Sequence, residues 1–452
     1  MNYILGFLKN GSERSIKIKK NIFLSTLLKS GNILISFLIV RLTYSYLDSE
    51  KYGVWVTILS ILAWVNLFDI GVGNGLRNKL AEALAKFDIR DGKMYTSTSY
   101  AIIGLIMVAA CVPVVLIAKG LDFSVVFNIN AVLANEVNSI MTWMLIFYFL
   151  TFSFSLITSI SFASQDSAIS DLIRLSTSFL IYLMLLLISI RRDNSIFLIG
   201  IIYSAITFFI MFIANIVLFS KRYKNICPSL KYINFKYAKN VVSLGAGFFI
   251  LQITSVIIFT TDNLIITQIF GPEEVAPYQI VYKLFSIFIL VFGIVLGPLW
   301  SGFTDAYSKG DIGWIKKILK RMMFLMLPLS IGIILTMTYA RQIIQLWLGK
   351  PIEISGLLIF LMGIYTFMFC WTSLFTQLIN GIGKIKIQVL VASIGAILNL
   401  PLSVYFAKNL GMGISGVILA TMVSILIGTI AITIQAYRII KNYDFRRAFE
   451  GD

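Results

Sequence analysis

Residues 94–118 read MYTSTSYAIIGLIMVAACVPVVLIA, twenty-five positions without one charged side chain. A helix rises about 1.5 Å per residue, so about 20 apolar residues cross the roughly 30 Å hydrocarbon layer of a bilayer. This run is continuous and not alternating, which favours a membrane helix over a barrel strand. Working outward, eleven further runs of the same kind appear, near 22–46, 53–76, 141–162, 169–190, 196–219, 241–269, 277–302, 322–340, 357–380, 387–407 and 414–437. The sequence predicts an all-α polytopic membrane protein with twelve transmembrane helices. The composition agrees: 58% of the 452 residues are hydrophobic and 13% charged, against roughly 25% charged in soluble domains. A soluble globular protein is excluded, and so is a soluble enzyme on a single anchor, because no long polar stretch exists.

The loops orient the chain. With a cytoplasmic N-terminus, 27 of the 38 Lys and Arg fall on the cytoplasmic side, 7 on the far side, and Lys29, Arg41, Arg174 and Lys283 within the helices. That asymmetry places both termini in the cytoplasm and accounts for the net charge of +17 without nucleic acid. The first run follows Lys9, Arg14, Lys17, Lys19 and Lys20, is too long for a signal-peptide core and reads as an uncleaved first helix. His is absent and the three cysteines are scattered, so neither a disulfide framework nor a metal site is expected.

The chain repeats itself. An offset of 223 residues lays 48–88 on 271–311, with Glu50 on Glu273, Leu67 on Leu290, Val72 on Val295, Leu76 on Leu299, Ala83 on Ala306, Lys86 on Lys309 and Asp88 on Asp311. Each half runs from cytoplasm to cytoplasm, so the repeat is parallel. The expected organisation is a six-helix lobe over 1–219, a basic cytoplasmic linker over 220–240, a second six-helix lobe over 241–437 and a tail over 438–452. Two similar lobes about a cleft suit alternating access.

Seven ionisable residues lie inside the runs, at a cost of roughly 2.5–3.5 kcal/mol each at mid-helix. Depth counting pairs Lys29 with Asp69 and Asp262 with Lys283, while Asp171 and Arg174 are three apart on one helix. Arg41 has no acid at its depth. Lys29, Arg41, Lys283 and Arg174 are the candidate substrate-binding cations for a phosphate-bearing cargo, with snorkelling to headgroups as the alternative. Asp262, Asp69 and Asp171 are candidate carboxylates for a coupling ion, with plain charge partnership as the alternative. Tyr278, Tyr282, Trp300 and Tyr307 are the aromatics to test for sugar stacking. Pro113, Pro298, Pro328 and Pro401 permit kinks.

Gly71-Val72-Gly73-Asn74-Gly75 lacks the spacing of a dinucleotide loop and follows a membrane run. The next segment puts Leu76, Leu80, Leu84 and Phe87 on one helical face and reads as a short helix at the cytoplasmic interface. Residues 69–88, DIGVGNGLRNKLAEALAKFD, resemble the O-antigen and polysaccharide repeat-unit flippases of the multidrug/oligosaccharidyl-lipid/polysaccharide exporter superfamily. Asp262–Asp311 resembles them as well, through Gly271-Pro272-Glu273, Tyr278, Pro298-Leu299-Trp300 and Gly310-Asp311. The resemblance implies two lobes, alternating access and an inner-membrane transporter with no cofactor beyond a coupling proton or sodium ion. It implies as cargo an undecaprenyl-pyrophosphate-linked oligosaccharide moved to the periplasmic leaflet. Membrane lipids, a polysaccharide polymerase and a chain-length regulator are the partners it suggests. Asp69, Gly71, Gly73, Asn74, Gly75, Arg77, Asn78 and Glu82 match the family motif, with a structural or gating role. A multidrug antiporter of the same superfamily is the alternative. A membrane polysaccharide polymerase is disfavoured, because the far-side loops are short and carry no His.

Overall fold

The computed structural model describes residues 13–69, 71–190 and 193–449, with the side chains of 13–22, 69, 85, 239–248, 301 and 442–449 excepted. Among the described residues the chain is helical throughout and holds no strand. Twelve helical segments are long and apolar enough to cross a membrane. The molecule is a multi-pass, all-α membrane protein.

The helices, in order, are α1 (Glu13–Tyr46), α2 (Ser49–Ala63), α3 (Val72–Ala85), α4 (Ile89–Gly120), α5 (Phe123–Phe127), α6 (Ala131–Phe154), α7 (Leu156–Ala163), α8 (Ser167–Ser189) and α9 (Ile196–Ser220). They continue with α10 (Lys236–Phe270), α11 (Val275–Leu296), α12 (Leu299–Ser308), α13 (Ile312–Leu348), α14 (Gly356–Ile382), α15 (Lys386–Val404) and α16 (Ile414–Phe449). Several spans extend beyond the apolar runs that reveal them. The segment Ala131–Ala163 starts ten residues before the run at 141, because the polar turns Asn135 to Ser139 stay helical above an Asn130 cap. The second run instead stops short. Its helix passes into a 3-10 turn at Trp64–Asp69, and Gly71, at φ 78°, then starts α3. Pro113, Pro328 and Pro401 lie inside α4, α13 and α15, and Pro298 separates α11 from α12.

The internal repeat is visible in the backbone. Asp88 caps α4 by accepting from the Asp91 amide, and Asp311 caps α13 by accepting from the Trp314 amide. One residue before each cap the chain takes a positive φ, 57° at Phe87 and 74° at Gly310.

The chain divides into two compact units over its described residues, one drawn from Met1–Asp48 and Ile61–Phe249, the other from Ser49–Ser60 and Ile250–Asp452. In the first, α1 packs along α8 and α6 along α9. In the second, α16 packs against α14 and α15, and α11 against α14. A core of Phe292, Phe303, Leu319, Leu374, Phe375 and Ile432 fills one end of the second unit. The segment Ser49–Ser60 lies early in the chain yet packs with the second unit. A Cβ built on Gly53 would fall 1.7 Å from the Pro272 carbonyl oxygen, so only glycine fits that approach. Thr57 and Thr267 share a hydroxyl hydrogen bond of 3.0 Å, and Asn263 donates to Ser60 Oγ at 2.7 Å.

Candidate functional site

In the first unit one buried polar cluster lies between α1 and α8. Ser25 donates to Asp171, and Lys29 Nζ lies 3.9 Å from the same carboxylate. Ser178 donates to Asn32 at 2.7 Å, at the same sequence separation of 146 as Ser25 and Asp171. A constant separation means two parallel helices in register. Asp171 is 4% exposed, so its charge requires partners, and Lys29 and Ser25 supply them. Depth counting expected Lys29 to meet Asp69 and Asp171 to meet Arg174. The structure gives Lys29 to Asp171, because α1 has α8 as its neighbour. Arg174, three residues on along α8, is exposed and, among the described residues, makes no ion pair with Asp171. The Asp69 side chain lies outside the described residues. Arg41 is exposed and, among the described residues, forms no ion pair.

In the second unit Asp262 stands on α10, 5% exposed. Tyr278 Oη donates to it at 2.6 Å, and Thr421 Oγ1 lies 3.2 Å from Oδ2 and 3.3 Å from Oδ1. Asn399 on α15 donates from Nδ2 to Thr421 Oγ1 at 3.1 Å. Depth counting expected Lys283 as the partner of Asp262. Instead two hydroxyls answer it, and among the described residues no Lys or Arg nitrogen lies within ion-pair distance of its carboxylate. Lys283, half-buried one turn beyond Tyr278 on α11, is engaged elsewhere. Asn399, which reaches Thr421, leaves its Oδ1 without a protein partner, and Ser403 Oγ one turn along α15 and Ser424 Oγ one turn along α16 are unpartnered as well. Asn399 and Ser403 are 0% exposed and Ser424 1%. Buried polar atoms normally find a partner, and these three oxygens have none in the protein.

The polar signal for this cluster was present in the sequence as Asn399 and Ser403 one turn apart, and Thr421 and Ser424 in the last apolar run. Attention to ionisable residues alone passes over it. Tyr278, a candidate sugar platform, is buried and spends its hydroxyl on Asp262. Tyr282 packs near Tyr365, ring centroids 6.3 Å apart. Trp300 is 38% exposed, and Lys384 Nζ sits 5.7 Å from the Tyr307 ring centroid.

The glycine-rich motif builds a two-faced helix. Val72, Leu76 and Leu80 are fully buried, and α3 packs on α4 and α7. Leu76 and Leu80 on its apolar face therefore serve the protein core, while Phe87 at the end of that face is 90% exposed. Gly75 closes the first turn by donating to the Gly71 carbonyl, and Gly73 is half-buried beside it. Asn74, Arg77 and Asn78 are exposed, with the Arg77 guanidinium 4.9 Å from the Phe162 ring centroid. Glu82 binds Lys79 at 3.0 Å and Lys86 at 2.9 Å, and those two ammonium groups hold its carboxyl down at about 2.

This arrangement can be set against known proteins. The MatE family model matches residues 248–405. That MatE stretch holds Asp262, Tyr278, Lys283, Asn399 and Ser403, while Thr421 lies beyond it. The chain is 23% identical over 407 residues to a protein of Salmonella typhi provisionally named O-antigen transporter, covering 88% of this chain and 90% of the relative. It is 25% identical over 395 residues to a protein of Yersinia pseudotuberculosis provisionally named O-antigen export protein, covering 84% and 87%. Its fold is similar to a multidrug resistance MATE transporter of the MOP superfamily solved in an inward-facing conformation. The TM-score is 0.78 at 12% identity, covering 94% of this chain and 99% of that one. An outward-facing structure of such a transporter gives 0.71 at 13% identity, covering 94% and 97%. The fold is that of the MATE transporters.

Proposed function

We propose that this protein is a flippase that moves an undecaprenyl-pyrophosphate-linked oligosaccharide from the cytoplasmic to the periplasmic leaflet of the inner membrane. The observation that carries the proposal is sequence likeness over more than four-fifths of the chain to relatives named for O-antigen transport. The orientation that goes with it puts both termini in the cytoplasm, as the 27 to 7 division of basic residues supports.

The obstacle to flipping is the headgroup. A charged diphosphate with its sugars is strongly disfavoured in hydrocarbon unless other groups replace its hydration. In this reading Arg41 supplies a guanidinium inside a membrane helix, with no acid among the described residues competing for it, and guanidinium binds phosphate oxygens in a bidentate fork. Lys29 is shared with Asp171 and acts as an adjustable second cation. Arg174 and Lys283 are secondary members of the set. The lobes exchange access while the polyprenyl chain remains in lipid.

Energy enters through Asp262 in this proposal. A proton or a sodium ion on its carboxylate cancels the buried charge, with the Tyr278 and Thr421 hydroxyls beside it and Asn399 Oδ1 free to take part. Polymerase and chain-length regulator are the partners that would receive the flipped unit.

The test is leaflet accessibility of lipid-linked repeat units in cells lacking the protein. Units confined to the cytoplasmic leaflet, and released by restoring the gene, are expected. Unchanged accessibility with intact surface polysaccharide would overturn the proposal. The MATE fold also suits a multidrug antiporter, for which the same cells would gain dye sensitivity and keep their polysaccharide.

A further inference from the structure

The basic stretch between α9 and α10 reads in the sequence as a linker, but it is fastened along its length to the first unit. Arg222 makes a two-pronged ion pair with Asp166, Nε to Oδ2 at 2.8 Å and Nη2 to Oδ1 at 2.6 Å. Ile226 is 4% exposed and lies 3.4 Å from where a Cβ on Gly92 would stand. The Ser229 amide donates to Ser97 Oγ at 3.0 Å, and the Asn234 amide donates to Thr98 Oγ1 at 3.0 Å. Lys93 Nζ sits 4.7 Å from the Tyr232 ring centroid. Tyr237 donates to Asp91 Oδ1 at 2.7 Å, a bond that with partial burial pushes its phenol up to about 12.

These fastenings fix the depth of the stretch. Helix α4 has 32 residues, about 48 Å, against a hydrocarbon layer of roughly 30 Å. Its charged residues are Arg90, Asp91 and Lys93 at the N-terminal end and Lys119 in the last turn, and the 19 residues Tyr100–Ala118 alone span about 28 Å, so most of the surplus length emerges at the N-terminal end. Ser97 and Thr98, just before the uncharged run Tyr100–Ala118, therefore stand at the headgroup boundary. Residues 229–234 stand beside them.

At that depth two large apolar side chains point outward. Leu230 is 87% exposed and Phe235 58%. Neither contributes to the core, and each is followed directly by an exposed lysine, Lys231 and Lys236. Residues 220–240 contain six basic residues and no acid. Apolar side chains flanked by cations at a headgroup boundary match a surface that is apolar below and anionic above.

We propose that residues 228–236 form an interfacial strap that inserts Leu230 and Phe235 at the headgroup–acyl boundary of an anionic phospholipid leaflet, with Lys231 and Lys236 on the lipid phosphates. The leaflet is the cytoplasmic one under the orientation proposed above, on which that assignment alone rests. The strap holds the cytoplasmic end of α4 to the membrane surface.

The test uses the full chain in nanodiscs, with Cys111, Cys227 and Cys370 replaced by Ser. An environment-sensitive fluorophore is attached through Leu230→Cys in one sample and Phe235→Cys in another. In phosphatidylcholine containing phosphatidylglycerol, a blue-shifted emission quenched by nitroxides at shallow acyl positions is expected from both. In phosphatidylcholine alone, the quenching should be weaker. The anionic enhancement should vanish at 1 M salt, where the Debye length falls to about 3 Å from about 10 Å at 0.1 M. It should also vanish when Lys231 and Lys236 are both changed to Gln. Emission of a fully hydrated probe at both positions, or an anionic enhancement indifferent to the two lysines, would overturn the proposal. No cargo is present, so this result and the result of the flipping experiment are independent.

Discussion

Asp171 and Asp262 are both buried carboxylates in membrane helices, and they differ in what answers them. Asp171 has an ammonium at 3.9 Å, whereas among the described residues Asp262 has only the hydroxyls of Tyr278 and Thr421. A carboxylate already neutralised by the protein has little to gain from an external cation. One left to hydroxyls gains the full relief of a buried charge, which is why Asp262 is the better coupling candidate. Asp262→Asn keeps the shape and can still accept from Tyr278, so the protein should fold and reach the membrane. Its transport should lose dependence on the proton or sodium gradient, and its melting temperature in detergent should stop responding to sodium or pH. A wild-type response to either ion that survives in Asp262→Asn would place the ion elsewhere. The two carboxylates were legible in the sequence as intramembrane charges, but their partners were not. Counting from a turn measures depth along a helix and says nothing about which distant helix lies alongside. Asp171 meets residues 146 positions earlier, and Asp262 meets Thr421, 159 positions later.

Between helices the closest approach is that of α2 to the loop after α10. A Cβ on Gly53 would sit 1.7 Å from a backbone oxygen, which no rotamer change relieves. Gly53→Ala must push the first turns of α2 off Pro272, and with them the Thr57–Thr267 and Ser60–Asn263 hydrogen bonds. The expected loss exceeds the roughly 1–3 kcal/mol of ordinary overpacking. Gly104 in α4 is the matched control, because a Cβ there meets nothing within 4 Å. Gly104→Ala should be neutral or stabilising by about 0.5–1 kcal/mol. Thermal unfolding of the purified variants measures both, and equal behaviour of the two would show that the contact at Pro272 carries no energy. The element order was readable from apolar runs, and the 223-residue repeat from Asp88 and Asp311, which prove to be matching helix caps. The destination of Ser49–Ser60 was not. Packing a segment of the first half with the second unit leaves no periodicity or composition signal, and Gly53 looks like any glycine in a membrane helix.

For the molecule as a whole, the question is which cation meets the cargo. Lys29 and Arg41 were equal candidates in the sequence, and the structure separates them. Removing Lys29 leaves Asp171 buried without its ammonium, so Lys29→Ala should lower stability along with transport, and its result confounds the two. Removing Arg41 strands no acid among the described residues. Arg41→Ala should therefore leave the melting temperature and the amount in the membrane unchanged while slowing flipping. A charge-assisted hydrogen bond contributes about 1.5–3 kcal/mol, and about 1.4 kcal/mol is a factor of ten, so the loss should be roughly tenfold to a hundredfold. Arg41→Lys keeps the charge and loses the fork, so it should recover part of the rate. Flipping would be measured as periplasmic accessibility of lipid-linked repeat units per molecule of transporter. If Arg41 only snorkels to headgroups, Lys substitutes fully and Ala reduces transport in proportion to protein lost from the membrane. An intermediate rate for Lys with constant protein separates phosphate recognition from anchoring, because only recognition depends on the planar two-pronged geometry.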